Sequence, residues 1–186
     1  MNWLSGRNSG AQRWIEQLND PSRRNAAATE LVRLGPAAVD ALTATLEGKD
    51  QSLREAAQAI LIRIGLPALP RLTEALGTAH PETRGRVAGI LGEIQHPDAF
   101  PALAQAARGE YYTVRARCAL ALGRLGDARA VPILIELLAD REPVVRAAAA
   151  RGLGPLRDAR GLTRLSDVLL EDPEIAVRQA AAEGLA

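Results

Sequence analysis

The apolar positions of this chain follow the period of an α-helix, and the whole pattern then recurs at a longer spacing along the sequence. An arginine stands near the start of each apolar segment, at intervals of 30 to 32 residues: Arg24, Arg54, Arg84, Arg115, Arg146 and Arg178. We call these residues the arginine column. Three positions after each arginine comes a small or β-branched residue, and seven positions after it comes a leucine in all six copies. Offsets of 3 and 7 lie on one face of a helix, so the pattern predicts six copies of one amphipathic helix.

A second apolar segment of about nine residues follows each of the first five helices. These segments cover residues 38–46, 68–76, 99–107, 130–138 and 161–169. Glycines between the two segments predict the ends of the first helices. Polar-proline pairs predict the starts of several first helices, with the polar residue as a cap: Asp20-Pro21, His80-Pro81, Glu142-Pro143 and Asp172-Pro173. Since neither helix of a pair can bury its apolar face alone, the pairs are predicted to stack on one another.

The sequence therefore predicts an all-α fold in one repeat domain at residues 11–186, after an N-terminal extension at residues 1–10. The repeats lie near residues 20–49, 50–79, 80–109, 110–140 and 141–171, with a partial repeat at 172–186. Ser9-Gly10-Ala11-Gln12 resembles a capping box and predicts a half-repeat helix from Ala11 to Leu18. Trp3 precedes this helix, either folded back as a cap or disordered.

The order of arginine, alanines, leucine, Leu-Gly-Asp and Ala-Val-Pro resembles HEAT-like repeats of the phycobilisome-lyase type. Repeat four, VRARCALALGRLGDARAVPILIELLAD, shows it most clearly, and the resemblance spans residues 11 to 186. It implies a right-handed α-solenoid of about five to six two-helix repeats, an α-α superhelix whose second helices line the concave side. The family includes bilin-lyase subunits and bacterial scaffold proteins, and related repeat folds include a DNA glycosylase and an iron hydroxylase. The resemblance thus specifies the fold much better than the function.

Repeat three departs from the pattern. Its first helix contains Gly85, Gly89 and Gly92. Each glycine in a helix interior costs about 1 kcal/mol relative to alanine. We therefore expect this helix to be the most easily deformed one.

Composition and charge narrow the choice of partner. The 186 residues are 47% hydrophobic and only 3% aromatic, with a formal net charge of +1. This charge gives no reason to expect a membrane partner and, with few aromatic residues, disfavours nucleic acid. Cys118 is the only cysteine, so an intrachain disulfide is excluded. No stretch has the length or hydrophobicity of a signal peptide or a membrane span, which favours a cytoplasmic protein.

The residues that invite a chemical role have a simpler structural interpretation. The arginine column borders the buried stripe, close to acids of the preceding turn, and the family resemblance implies an arginine that bridges consecutive repeats. The acids are Asp20, Asp50, Glu110, Asp140, Glu142 and Asp172. Cys118 occupies a column of alanine and valine, which predicts a core residue. His80 and His96 lack the paired motifs of a metal site. We therefore expect no catalytic, cofactor-binding or metal-binding residues, and no enzyme activity.

The predicted function is that of a non-catalytic scaffold or adaptor that binds another protein on its concave surface. Alignment of the second helices predicts an outward apolar patch that is flanked by arginines: Arg71, Ala102, Ala104, Ile133, Ile135 and Arg164. Tyr111 and Tyr112 replace polar residues at an inter-repeat turn, either as contact residues or as a local lid over a gap between repeats. The alternatives are a subunit of a bilin-lyase-like or other enzyme complex, and a nucleic-acid-binding protein of the same fold.

The C-terminal segment 174–186 reads as the first helix of a sixth repeat without its second helix. Ala180, Ala181, Ala182 and Leu185 are therefore expected to lack a covering repeat. An open end of this kind exposes apolar surface. This predicts either a longer array or self-association through the C-terminal end, unless the alanine-rich surface is shallow enough to tolerate water.

Overall fold

The computed structural model describes the backbone of residues 4–186 and the side chains from residue 10 onward. Within these residues the chain forms twelve α-helices and no strand. The helices are α1 (Leu4–Gln17), α2 (Arg24–Leu34), α3 (Pro36–Thr45), α4 (Gln51–Ile64), α5 (Leu69–Thr78), α6 (Pro81–Ile94), α7 (Phe100–Ala106), α8 (Tyr112–Leu125), α9 (Ala130–Leu137), α10 (Pro143–Leu153), α11 (Ala159–Glu171) and α12 (Ile175–Leu185). Short 3-10 helices cover Leu66–Ala68, Pro97–Ala99 and Gly154–Leu156.

The helices pack in the order in which they occur along the chain. The first helices of the repeats (α2, α4, α6, α8, α10 and α12) stack in one row, each on the next. The second helices stack beside them, with α1 on α3, α3 on α5 and α5 on α7. This sequential packing of helix pairs confirms the predicted all-α solenoid.

The core lies between the two rows, where the repeated pattern predicts it. The column seven positions after the arginines is buried at Leu31, Leu61, Leu91, Leu122 and Leu153, and half-buried at Leu185. The column three positions after the arginines is fully buried in all six repeats. Neighbouring repeats therefore share one continuous core, which is the basis of stability in a stacked array.

Each turn between the two helices of a repeat contains one residue at positive φ. Glycine fills this position in three of the five turns, at Gly35, Gly65 and Gly126, because it has no Cβ. Gln95 takes the position in repeat three, with φ 54°. Its side-chain amide donates a hydrogen bond to the Arg124 carbonyl, at 2.8 Å. This bond to the next repeat compensates for the cost of a left-handed non-glycine residue.

The structure corrects two predictions about helix starts. Helix α1 begins at Leu4 and not at Ala11, so Ser9 does not cap it; Trp3 lies outside the described residues. His80 and Glu142 precede their helices but make no capping hydrogen bond with the side chain. The carboxylate of Asp50 does cap, since it accepts a hydrogen bond from the Leu53 amide.

The first helices approach each other to backbone contact in the C-terminal half. A Cβ on Gly123 of α8 would lie 2.5 Å from the Gly152 Cα of α10, and one on Gly92 of α6 would lie 2.9 Å from the Ala121 Cα of α8. A Cβ on Gly154 would lie 2.8 Å from the Gly184 Cα of α12. These glycines therefore set the spacing of the row. The expectation that glycines make α6 easily deformed does not take account of this role for Gly92.

The C-terminal helix also differs from expectation. Ala180 and Ala181 are fully buried, because α12 packs them against α10 and α11. Ala182 is exposed and Leu185 is half-buried. Two of the four residues that were expected to be uncovered are therefore part of the core.

Candidate protein-binding surface

The apolar patch predicted on the second helices is mostly inside the fold. Ile133 is only 6% exposed, so its predicted outward position is wrong. Helix α9 contacts α8, α10 and α11, and a short helix with three neighbours buries more than one stripe of its surface. Ala102, Ala104 and Ile135 are half-buried and pack against the core. The residues that would form the centre of this patch therefore present little apolar surface.

The arginines that flank the predicted patch are exposed but paired. Arg71 lies 3.5 Å from an Asp40 carboxylate oxygen and 2.9 Å from one of Glu74. Arg164 lies 3.1 Å from a carboxylate oxygen of Asp167. Both arginine side chains remain more than half exposed, at 57% for Arg71 and 54% for Arg164, so their guanidinium groups stay accessible to another molecule.

Large apolar side chains are exposed at a different place, the edge of the solenoid where one repeat joins the next. Six large hydrophobic side chains are more than about two-fifths exposed among the described residues, and five of them lie on this edge. We call these five the edge stripe: Tyr111 (43%), Tyr112 (46%), Val144 (51%), Leu170 (81%) and Ile175 (64%). The sixth, Leu66, lies at the opposite edge, in the turn between α4 and α5.

The edge stripe lies mainly at the starts of successive first helices. Tyr112, Val144 and Ile175 each occupy the first turn of a first helix, in α8, α10 and α12. Because α8, α10 and α12 stack each on the next, these side chains follow one another along the edge. Leu170 lies in the last turn of α11, beside the same inter-repeat turn. The two tyrosines can be recognised in the sequence as candidate surface residues because they replace polar residues. The exposure of Val144, Leu170 and Ile175 was not predicted, because each stands in an apolar stretch.

The arginine column has the structural role that was expected. Five of the six arginines donate a hydrogen bond to the backbone carbonyl six residues earlier, and Arg84 donates from Nε to the Leu76 carbonyl, at 2.8 Å. These bonds tie each first helix to the end of the preceding second helix. They satisfy carbonyl groups that a helix end leaves without a partner.

Two members of the column also bridge to the next repeat through a carboxylate. Arg115 pairs with Asp140 at 2.7 Å through Nε and 2.9 Å through Nη2, and Arg146 pairs with Asp172 at 2.7 and 3.1 Å. All four side chains are nearly buried. The other nearby acids do not bridge repeats in this way: Asp20 and Asp50 bond to backbone amides of their own turns, and Glu110 forms no ion pair among the described residues.

The Arg146–Asp172 bridge predicts a loss of stability in acid. Hydrogen bonds from the Arg146 guanidinium hold the pKa of Asp172 below its usual value, although burial opposes this effect. A carboxyl group whose pKa is lowered by folding contributes stability above its unfolded pKa and loses it as the pH falls through the folded value. We expect the difference in free energy of unfolding between wild type and Asp172→Asn to shrink below about pH 4, as measured by urea denaturation at pH 7 and pH 3. A difference that is equal at both pH values would contradict this.

Arg84 lacks the carboxylate that Arg115 and Arg146 have. The residue aligned with Asp140 and Asp172 is Gly109. A cavity of about 230 Å³ lies beside Arg84, between α5 and α7. Its lining consists of Thr73, Leu76, Gly77, Arg84, Ala102, Gln105, Ala106 and Gly109. The Arg84 Cζ lies 5.9 Å from the centroid of the Tyr111 ring, which places the cavity next to the edge stripe.

Cys118 is part of the core, as its column predicts. It is fully buried, and burial raises the pKa of its thiol to about 12, against a smaller lowering by the nearby Arg84 charge. Because the thiolate is the reactive form, we expect Cys118 to react with a disulfide reagent at neutral pH far more slowly than in urea. Equal labelling rates for native and unfolded protein, followed by absorbance, would disprove this.

Among the described residues, no three histidine, cysteine, aspartate or glutamate side chains lie close enough together to hold a metal ion. His96 accepts a hydrogen bond from the Asp98 amide through Nδ1, and His80 begins α6. No helix in the described part of the chain has the length and hydrophobicity needed to cross a membrane.

Comparison with known proteins shows the family. The HEAT repeats family matches residues 39–115, 69–154 and 101–186, which together cover most of the chain. The chain belongs to the HEAT repeat family. No curated protein matches the sequence of this HEAT repeat chain at a significant level.

Solved structures of other HEAT-like chains are similar over most of their length. A chain of the complex of CpcE and CpcF of phycocyanin lyase from Nostoc sp. PCC7120 is 26% identical, with a TM-score of 0.74 over 81% of this chain and 99% of that chain. Human deoxyhypusine hydroxylase is 24% identical, with a TM-score of 0.55 over 94% and 72% of the two chains. Escherichia coli YibA is 20% identical, with a TM-score of 0.61 over 100% and 75%. The last two similarities show the fold alone.

Proposed function

We propose that this HEAT repeat chain is a non-catalytic scaffold that binds a protein partner along the edge stripe. The observation that carries the proposal is the concentration of exposed apolar side chains. Of the six large hydrophobic side chains that are clearly exposed from residue 10 onward, five lie on this one edge. Clustered apolar surface that is rimmed by polar residues is typical of protein-binding sites, whereas scattered single residues are ordinary surface.

The kinds of side chain on the edge support the same function. Tyr111 and Tyr112 each have a large ring and few rotatable bonds, and tyrosine is enriched at protein interfaces. Arg84 lies beside the Tyr111 ring, and Arg141 lies in the turn that precedes Val144. Aromatic and arginine side chains at the centre of an interface commonly contribute most of its binding energy.

The similarity to phycocyanin lyase is consistent with a protein partner. The similar chain comes from a complex of two proteins, CpcE and CpcF. The match covers nearly all of that chain, so the region shared by the two proteins is the whole repeat array and not an isolated turn. A fold that supports association of two subunits there supports association with another protein here.

Site-specific photo-crosslinking tests the proposed surface. A photoreactive phenylalanine analogue at position 144 of the edge stripe is expected to crosslink a protein from the source cell extract. The matched control carries the analogue at Leu66, which is 52% exposed on the opposite edge. Crosslinking at 144 but not at 66 is the expected result, with the product identified by mass spectrometry. Equal products at both positions, or none at either, would rule out the edge stripe.

A mutation experiment then measures the contribution of the stripe. The double substitution Tyr112→Ser and Val144→Ser is expected to weaken binding of the crosslinked partner at least tenfold, because a well-packed interface side chain contributes more than about 1.4 kcal/mol to the binding free energy. Leu66→Ser is the matched control and should leave affinity unchanged. All these side chains are exposed, so each variant should unfold within about 0.5 kcal/mol of wild type per substitution.

A subunit of a bilin-lyase-like enzyme is the second candidate, and the 26% identity to a CpcE–CpcF chain is the observation that favours it. Absorbance spectra after incubation with a tetrapyrrole test this candidate. A shifted and saturable absorbance band would favour it over a purely non-catalytic scaffold.

A further inference from the structure

We propose that Arg84 binds a carboxylate from outside the chain, and that this carboxylate is an aspartate or glutamate side chain of the protein partner. The identity of the source rests on the proposed function, whereas the carboxylate site itself rests on the structure of the arginine column.

In the next two arginines all three guanidinium nitrogens donate hydrogen bonds. Arg115 uses Nε and Nη2 for Asp140, and Nη1 for the carbonyls of Gly109 and Glu110. Arg146 bonds in the same way to Asp172 and to the carbonyls of the preceding turn. The column therefore provides a ready geometry for a carboxylate that is held by both Nε and Nη2, an arrangement that is among the strongest hydrogen-bonded pairs.

At Arg84 the carboxylate is missing and the guanidinium is turned differently, because Nε and not Nη1 bonds the backbone carbonyl. A carboxylate here would therefore be held by the two terminal nitrogens. Neither terminal nitrogen of Arg84 donates a hydrogen bond to another described residue; only Nε donates, to Leu76. A Cβ on Gly109 would lie 3.8 Å from Arg84 Nη2, so the absent side chain would extend toward the guanidinium. Glu110, which follows Gly109 in the sequence, is exposed and forms no ion pair in the described structure; Glu82 pairs with Arg86.

Arg24 and Arg54 also lack an acidic partner, but neither lines the cavity beside Arg84. The residue aligned with Gly109 is Gly48 for Arg24 and Thr78 for Arg54. Arg24 donates from Nη2 to the Ser52 hydroxyl, at 3.3 Å. A Cβ on Gly48 would have no arginine atom among its nearest neighbours within 4 Å. Arg84 instead borders the cavity between α5 and α7.

The size and position of the cavity favour a side chain over a cofactor. Its volume is about 230 Å³, below the range of about 300–1,000 Å³ that is usual for small-molecule sites. Thr73, Ala102 and Gln105 form its wall on the second helices. Tyr111 connects the guanidinium to the edge stripe, since its ring lies beside Arg84. A partner on the edge stripe can therefore place one acidic side chain in this cavity.

Gly109→Asp restores the missing acid inside the chain and tests the site directly. The backbone at Gly109 is not in the left-handed region, and its amide donates to the carbonyl three residues earlier, as the Asp140 amide does. The same turn thus already accepts an aspartate in the next repeat, although a Cβ at position 109 lies a tight 3.1 Å from the Ala106 carbonyl oxygen. Gly48→Asp is the matched control: its turn and charge change are the same, and its carbonyl accepts a bond from Arg54 as that of Gly109 does from Arg115. No arginine atom, however, lies within 4 Å of the new Cβ.

The first readout is NMR of the arginine side chain. We expect the tripeptide Ac-Ala-Glu-Ala-NH₂, with a Kd on the order of millimolar, to shift the Arg84 Nε–Hε and Gly109 amide signals. The glutamine tripeptide should not. The shifts should be lost in Gly109→Asp and kept in Gly48→Asp. Equal shifts with both peptides, or shifts that persist in Gly109→Asp, would overturn the site.

The second readout needs no ligand. If the new aspartate pairs with Arg84, Gly109→Asp should raise Tm by about 2–4 °C more than Gly48→Asp does. This gain should disappear below about pH 4, when the aspartate is protonated. A Gly109→Asp protein that unfolds at a lower Tm than Gly48→Asp at neutral pH would show that the geometry is wrong.

The third readout identifies the source of the carboxylate. With the partner found by crosslinking, Gly109→Asp should weaken binding at least tenfold, and Gly48→Asp less than twofold. Peptide shifts at Arg84 without an effect on the partner would overturn the partner as the source. Failure to crosslink any protein at position 144, with normal peptide shifts, would instead refute the proposed function and leave the carboxylate site standing.

Discussion

Gly123→Ala is expected to destabilise the protein by about 3 kcal/mol or more, although it adds only one methyl group. The new Cβ would lie 2.5 Å from the Gly152 Cα, which is a backbone atom of α10, the next helix in the closely packed row. A flexible side chain could move aside, but a backbone cannot move without separating α8 from α10. We therefore expect urea denaturation to show a lower midpoint.

Gly89→Ala is the matched control for this prediction. Gly89 also lies inside a first helix, α6, but a Cβ there would meet no atom within 4 Å. The intrinsic helix preference for alanine over glycine should therefore raise the free energy of unfolding, by up to about 1 kcal/mol. Opposite signs for the two substitutions would show that backbone contact between helices sets the spacing of the row. A loss of less than about 1 kcal/mol for Gly123→Ala would show that the row can widen at little cost.

Leu122→Ala is expected to lower the free energy of unfolding by about 2–5 kcal/mol, the range for a buried leucine. Leu122 is fully buried in the column of leucines that all six repeats share. Truncation removes its contacts and leaves a cavity that the stacked helices cannot fully close. In an array, weakening one repeat also weakens its contacts with both neighbours.

Leu170→Ala provides the comparison for Leu122→Ala. Leu170 is 81% exposed in the edge stripe, so its truncation should change stability by no more than about 0.5 kcal/mol. Both variants are measured by urea denaturation under the same conditions. A cost for Leu122→Ala below about 1 kcal/mol would mean that the leucine column is not the structural core.

Features that depend on residues close together in the sequence were predicted correctly more often than features that depend on long-range contacts. The helical period, the repeat length and the column of leucines all arise from spacing within one or two repeats. They predicted the all-α solenoid, the burial of Leu122 and the burial of Cys118. Local turn chemistry was less reliable, as His80 shows: a polar residue before a proline has the right position for a cap, but its side chain makes no capping bond.

The binding surface depends on information that the repeat pattern does not contain. Ile133 lies on the predicted outward face of its helix, but three neighbouring helices bury it. Val144 and Ile175 look like ordinary core residues in the sequence, yet the packed helices leave them exposed on the edge. A helical period identifies the face that meets the paired helix, whereas exposure depends on every helix that packs around it.

The sequence by itself determined the fold class, the repeat length, the core columns and the recurrence of the arginines. It did so because each depends on residues a few positions apart, which the geometry of a helix relates directly. The tertiary structure decided which arginines gain a carboxylate from the next repeat, which glycines bring helices into contact and which apolar residues remain exposed. Arg84 and Gly109 illustrate the difference. Both are visible in the sequence, but only the packing of consecutive repeats shows that Arg84 lacks a carboxylate partner because position 109 is a glycine.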